Sequence, residues 1–206
     1  VETIPADLAT AEGLQTLISR IQTLPALDLL VNNAGFGTHG TFAQVEPSKQ
    51  AVMLHVHITA SVMLARAALP AMIARHQGCI INVASMAGLI PIRSVLYGTT
   101  KAFLIQFSES LQRELRGSGV NVQALCPGFT YTGFHDTSEY VGFNRKKIPS
   151  VLWLTSSQVV RESLDFSNRR SVICIPGFQY KMIGLIARNR ISGYFVKEIG
   201  SRLFHK

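Results

Sequence analysis

Tyr97 and Lys101 stand four residues apart in the run Tyr-Gly-Thr-Thr-Lys. On a helix that spacing stacks two side chains on one face, one turn apart. The chemistry it permits is proton transfer. A free phenol has a pKa of about 10 and is a poor base at neutral pH. A nearby ammonium favours the phenolate and lowers that value. The phenol can then exchange a proton with a substrate oxygen while hydride moves at the adjoining carbon. Ser85 precedes Tyr97 by twelve positions, just beyond an apolar run, and its hydroxyl can serve the same oxygen. Taken alone, Tyr-x-x-x-Lys also describes an ordinary surface pair worth a few tenths of a kcal/mol.

The surrounding sequence predicts the elements that hold these groups. Leu27 to Val31 is a short apolar run stopped by Asn-Asn-Ala-Gly and reads as a buried parallel strand. A helical pattern runs from about Pro47 to His76, and Pro70 is expected to kink or divide it. Cys79 to Ala84 and Val120 to Leu125 read as further strands, with a long helix from about Val95 to Arg116 between them. Residues 129 to 150 lack a period and read as a long irregular loop of the kind that covers sites. A helix is predicted over Ser157 to Phe166, a strand over Ser171 to Ile175, and a basic helical segment over about 178–206. Strands alternating with helices of this length imply βαβ units in a single α/β domain spanning 1–206.

Composition narrows the class. Of 206 residues, 47% are hydrophobic and 16% charged, which is not the composition of a disordered chain. No uninterrupted apolar run approaches the roughly 18 residues of a membrane span. Cys79, Cys126 and Cys174 are far apart, lack metal-ligand spacing and sit in apolar runs. They read as buried thiols in a reducing compartment, hence a cytoplasmic location. The net charge of +8 is concentrated late in the chain and comes with no nucleic-acid motif. The C-terminal segment interleaves Ile183, Leu185, Ile191 and Phe195 with Arg188, Arg190 and Lys197. That pattern suits an anionic membrane surface, the wall of a pocket or a partner subunit.

Four motifs together resemble the short-chain dehydrogenase/reductase family. They are Asn32-Asn33-Ala34-Gly35, Asn82-Val83-Ala84-Ser85-Met86-Ala87-Gly88, Tyr97-x-x-x-Lys101 and Asn121-Val122-Gln123-Ala124-Leu125-Cys126-Pro127-Gly128, in the family's order. The resemblance implies a Rossmann-like, doubly wound parallel sheet. It implies Tyr97 as general acid/base, Lys101 as its partner and a contact of the nicotinamide ribose, and Ser85 as the donor to the substrate oxygen. Asn33, Ala34 and Gly35 would wall the adenosine side, and Asp7 and Leu8 would flank the adenine. Pro127 and Gly128 would lie by the nicotinamide, and Thr130 and Thr132 would contact its carboxamide and phosphate. The cofactor would be NADP or NAD, with NADP favoured, and the substrate a ketone, aldehyde or alcohol. The aromatic residues Phe129, Tyr131, Phe134, Tyr140, Phe143 and Trp153 are compatible with a lipid-like or bulky compound and equally with packing of the loop itself. A homo-oligomer is compatible with the family.

Two departures stand out. The family opens with a glycine-rich turn that cradles the pyrophosphate at a helix N-terminus. The first piece matched here, Asp7-Leu8, follows the family's third strand, so the domain is expected to be truncated by two strands and two helices. The Leu27–Val31 strand is then expected to be an exposed apolar edge. On the same resemblance, the residue that chooses NAD or NADP is expected to lie before the first matched piece. The second departure is His57, where the family often carries an asparagine. Its imidazole can join a proton relay or be an ordinary helix histidine. Two functions follow: an NAD(P)-dependent oxidoreductase, or a relative that binds without capturing cofactor.

Overall fold

A computed structural model of the chain describes residues 1–140, 143–166 and 171–188. The first element is α1 (Ala11–Thr23), which the sequence reading did not single out. Thr10 caps it by accepting the Gly13 N–H at 3.0 Å. β1 (Leu29–Asn32) follows, then α2 (Pro47–Leu54), a π-turn over His55–Ala60, and α3 (Ser61–Ala74). β2 (Gly78–Val83), α4 (Val95–Glu114) and β3 (Val120–Leu125) lie close to their expected bounds. β4 (Thr130–Tyr131) and β5 (Leu154–Thr155) form a small parallel pair, and α5 (Ser156–Phe166), β6 (Ile173–Cys174) and α6 (Phe178–Arg188) complete the described chain. Part of the predicted C-terminal helical segment, 189–206, lies outside the described residues.

The main sheet has the order β1-β2-β3-β6 and is parallel throughout. Leu30, Ile80 and Val122 share one register row and face α3 and α4, where they meet Ala65, Ala68, Met72 and Leu111. Alternation sends Ile81 and Leu125 to the other face, where Val159 of α5 and Tyr180 of α6 cover them. Helices therefore pack on both faces. α1 lies over Ala60 and Leu64 through Leu14.

β1 is the open edge that the sequence led us to expect: it bonds to β2, and no other strand pairs with it among the described residues. Leu29 and Val31 are 40% and 47% exposed, in register with Cys79 and Ile81 at the open end of the face that α5 and α6 cover. Helices α2 and α3 run on through the π-turn, so the helical stretch Pro47–Ala74 is long and apolar enough to cross a membrane by length and composition. Polar residues interrupt its apolar runs, which is why no span was expected, and half of its most apolar window is buried inside this fold. The division of this helix also differs from expectation. Pro70 sits within α3, and the irregularity falls at His55–Ala60. A proline near a helix's outer surface can be carried by local adjustment, whereas a π-turn inserts an extra residue and redirects a side chain.

A buried polar ladder ties β1 to β2 and α4. Asn32 Nδ2 donates to Asn82 Oδ1 at 2.8 Å and to the Ser61 carbonyl at 3.2 Å, and Asn82 Nδ2 donates to Ser108 Oγ at 2.9 Å. Asn82 is completely buried. Replacing it with alanine would leave the Asn32 amide only the Ser61 carbonyl, open a gap beside Ser108, and is expected to cost about 2–4 kcal/mol. Urea unfolding would measure this, and a loss below about 0.5 kcal/mol would show that the ladder contributes little.

Candidate active site

The site is assembled at the carboxyl ends of β1, β2 and β3. Beyond β2 the chain makes a single 3-10 turn, Met86–Gly88, capped by Ser85 Oγ, which accepts the Ala87 N–H at 3.1 Å. Met86 N–H donates to the Pro127 carbonyl at 2.9 Å and so joins the loops after β2 and β3. A Cβ at Gly88 would lie 2.7 Å from the Lys101 carbonyl carbon, so this turn can sit flush on α4 only with glycine there. Ser85 and Tyr97 are thereby brought together, and their hydroxyls hydrogen-bond.

Tyr97 and Lys101 do share one face of α4. Lys101 is buried, donates to the Val83 carbonyl at 2.8 Å, and holds its ammonium 5.6 Å from the centre of the Tyr97 ring. Burial lowers its pKa to about 8, with a smaller opposing influence from the Cys126 thiol. The phenol behaves differently from the simple spacing argument. Burial raises its pKa, and the Ser85 hydrogen bond offsets part of that rise. The ammonium lies under the ring, held by a strand carbonyl, so desolvation of the hydroxyl dominates. Tyr97 therefore keeps its proton across neutral pH.

His57 is fully buried beneath these groups. Its Nε2 accepts the Phe36 N–H at 3.0 Å, and its Nδ1 lies 2.9 Å from Thr100 Oγ1. Thr100 in turn donates to the Tyr97 carbonyl at 2.9 Å. Burial lowers the His57 pKa to about 3, and the Lys101 ammonium adds to that effect.

The residues expected on the cofactor side fall into two groups. Leu8, Asn33 and Ala34 line one cavity of about 310 Å³, with Ile4, Leu17 and Val56. Asn32 Oδ1 is buried there with no hydrogen-bond partner among the described residues. Asp7 is not part of that lining; its carboxylate accepts the Ala9 N–H at 2.9 Å at the start of α1. Gly35 is the second meeting point, because a Cβ there would come 3.0 Å from His57 Nε2 and 3.4 Å from Lys101 Nζ. Pro127 and Gly128 follow β3 as expected. Thr130 Oγ1 donates to the Gly128 carbonyl at 3.0 Å, and Thr132 Oγ accepts the Phe134 N–H at 3.3 Å.

Several residues that matter to this geometry were not picked out from the sequence. Tyr180 of α6 is buried under the Pro127–Gly128 turn, its hydroxyl accepting the Phe129 N–H at 2.9 Å and donating to the Leu152 carbonyl at 2.5 Å. A Cβ at Gly128 would lie 1.9 Å from the Tyr180 ring. Tyr180→Phe keeps the ring and removes both bonds, with an expected loss of about 1–3 kcal/mol in denaturant unfolding. An unchanged unfolding midpoint would mean that the turn holds without it.

The irregular loop resolves into a chain of single 3-10 turns at Gly133–Asp136, Ser138–Tyr140, Arg145–Lys147 and Ser150–Leu152. Its aromatic residues form one cluster. Tyr131 stacks on Trp153 with centroids 4.8 Å apart, His135 stacks on Phe143 at 4.5 Å, and Phe134 reaches Tyr97 at 5.9 Å. The loop is fastened across the site. Glu139 pairs with Lys49 at 2.8 Å and accepts the His39 N–H at 3.2 Å, while the Tyr140 hydroxyl abuts Gly37. Burial raises the Tyr140 pKa, and the neighbouring Tyr97 adds to the rise.

A parallel sheet with helices on both faces, and ligand-facing loops at the carboxyl ends of its strands, defines the Rossmann-like class of α/β folds. Residues 1–140 match the family model for short chain dehydrogenase, and the chain belongs to that family. It is 36% identical over 129 residues to the ketoacyl reductase HetN of Nostoc sp., covering 61% of this chain and 45% of that protein. It is 36% identical over 154 residues to a probable NADP-dependent dehydrogenase of Haemophilus influenzae, covering 66% of this chain and 59% of the relative. The chain thus spans about half the length of these curated relatives. Among solved structures it resembles a short-chain dehydrogenase from Sphingobium yanoikuyae in complex with NADPH, with a TM-score of 0.76 and 28% identity over 90% of this chain and 75% of that one. It also resembles the bulky-bulky ketone specific alcohol dehydrogenase from Comamonas testosteroni, with a TM-score of 0.73 and 27% identity over 91% of this chain and 74% of that one.

Proposed function

We propose that the protein is an NADP-preferring oxidoreductase that interconverts bulky, apolar ketones and the corresponding alcohols by hydride transfer. The observation that carries this reading is the convergence of Ser85, Tyr97 and Lys101 at the carboxyl end of the sheet, beneath an aromatic loop. The cofactor, when bound, supplies or accepts the hydride. The 310 Å³ cavity lined by Leu8, Asn33 and Ala34 fits the adenosine side of a dinucleotide, with an apolar wall and one unsatisfied buried oxygen. Among the described residues Lys101 has a single hydrogen-bond acceptor in Val83, and the two remaining donors of an ammonium are suited to ribose hydroxyls.

The residues of this chain divide the proton chemistry among them. A substrate oxygen set between the Ser85 and Tyr97 hydroxyls accepts a hydrogen bond from each. As negative charge grows on that oxygen during reduction, Tyr97 releases its proton to it. The raised pKa keeps that proton in place until then, and the Lys101 ammonium steadies the phenolate that remains. Oxidation of an alcohol runs the same path in reverse. Phe134, Tyr140 and the Trp153 cluster exclude water and favour lipid-like or aromatic substituents on the carbonyl carbon.

The test is oxidation of NADPH and of NADH on addition of aryl and long-chain ketones to the longest natural form of the chain. Ketone-dependent oxidation, faster with NADPH and with the bulkier ketone, supports the reading. No oxidation with either cofactor across both ketone classes sinks it.

A further inference from the structure

The imidazole of His57 occupies a seam between two parts of the site. On one side is the Gly35–Phe36 segment after β1, and on the other are the first two turns of α4. The π-turn His55–Ala60 swings the ring into this seam, where it is fully buried. Its contacts select which ring nitrogen carries the hydrogen. Nε2 accepts the Phe36 N–H at 3.0 Å, so that nitrogen carries no hydrogen. The hydrogen of a neutral ring is then on Nδ1, which donates to Thr100 Oγ1 at 2.9 Å. Thr100 passes its own hydrogen to the Tyr97 carbonyl at 2.9 Å, so each of these three donors has one acceptor. The ring also lies edge-on to Phe36 at 5.6 Å and to Tyr97 at 5.9 Å.

We propose that His57 is a positioning residue: an imidazole that ties the Phe36 amide to Thr100 and so holds the Gly35–Phe36 segment in register with Tyr97 and Lys101. Both ring nitrogens are committed, one to a backbone donor and one to a hydroxyl whose own hydrogen goes to a carbonyl. A proton arriving at Nε2 would face the Phe36 N–H, donor against donor. The ring therefore does not relay protons. The tie itself follows from these contacts, while its effect on turnover rests on the oxidoreductase reading.

Two substitutions separate the two bonds. His57→Asn places an amide where Nδ1 stands and cannot reach Phe36, whereas His57→Gln places its amide near Nε2 and leaves Thr100. Imidazole nitrogen shifts of the unsubstituted protein are expected to report the Nδ1–H form unchanged from about pH 8 to about pH 5. Exchange of the Phe36 amide is expected to accelerate about tenfold in His57→Asn and to stay near the original rate in His57→Gln. An Nε2–H ring, or equal Phe36 exchange in all three proteins, overturns the proposal. In the longest natural form, both variants are expected to lower kcat by about tenfold with KM for ketone little changed. The shape of the pH–rate profile is expected to stay the same. Loss of an ionisation from that profile would mean that His57 carries protons, and would also overturn the proposal. If the unsubstituted protein turns over no ketone, the oxidoreductase reading fails, and the shift and exchange measurements still decide the tie.

Discussion

Tyr97→Phe is expected to reduce ketone turnover by about 10²–10⁴-fold, the usual worth of a positioned general acid. The substitution removes one oxygen and nothing else. The ring keeps its contacts with His57 and Phe134, and Thr100 still bonds to the backbone carbonyl of residue 97. The hydroxyl's partner, Ser85, retains the Ala87 N–H, so no buried group is left without a bond. Thermal stability is therefore expected to change little, and a loss of turnover cannot be charged to unfolding. Because the phenol's pKa is raised by burial, the acid form is present across neutral pH. The variant should then be slower at every pH in that range rather than only on one limb. The measurement is steady-state NADPH oxidation alongside a melting curve for both proteins. Equal rates would remove Tyr97 from the chemistry.

Mild acid is expected to destabilise the protein through His57. In the folded state its pKa is about 3, while an unfolded histidine titrates near 6.5. Between those values the unfolded chain binds a proton that the folded chain does not. Stability conferred by the neutral ring is thus complete above about pH 6.5 and is lost as pH falls towards 3. The slope approaches about 1.4 kcal/mol per pH unit, so roughly 2–3 kcal/mol should be gone by about pH 4.5. That is a large share of a typical domain's 5–15 kcal/mol. The groups facing the ring do not cancel it. Lys101, with a pKa of about 8, stays cationic throughout this window and opposes a second positive charge. Tyr97 stays neutral and Thr100 does not titrate. Urea unfolding of the unsubstituted protein and of His57→Asn, at about pH 7 and about pH 4.5, isolates the effect, since the surface carboxylates are common to both. A parallel loss in the two proteins would show that acid acts elsewhere.

Short-range patterns carried much of the fold. The runs at Leu27–Val31, Cys79–Ala84 and Val120–Leu125 are apolar and β-branched, and each ends in a turn signal, so the strands of the parallel sheet fall close to where they were read. Periodicity placed α4 and with it the pairing of Tyr97 with Lys101. The helix α1 was legible and went unread: Leu14, Leu17, Ile18 and Ile21 recur at helical spacing behind the Thr10 cap. The π-turn was hidden, because an extra residue in a helix leaves no composition signal. A proline does leave one, which is why Pro70 drew the expectation instead.

What the sequence determined by itself is therefore the spacing that groups Tyr97 with Lys101 and the strand–helix alternation that carries them, since both rest on spacings of a few residues. Tertiary structure decided what those residues do with their charges. Lys101 sits under the Tyr97 ring on the Val83 carbonyl, so burial raises the phenol's pKa where spacing alone argued for lowering it. Tyr180 reaches the Gly128 turn from a helix 52 positions later, and Glu139 closes the loop onto Lys49 from 90 positions away. His57 is read as a bridge only once Phe36 and Thr100 stand on either side of it. Hydrogen bonding and desolvation act across a few ångströms of space, and those neighbours come from segments whose separation along the chain gives no sign of the contact.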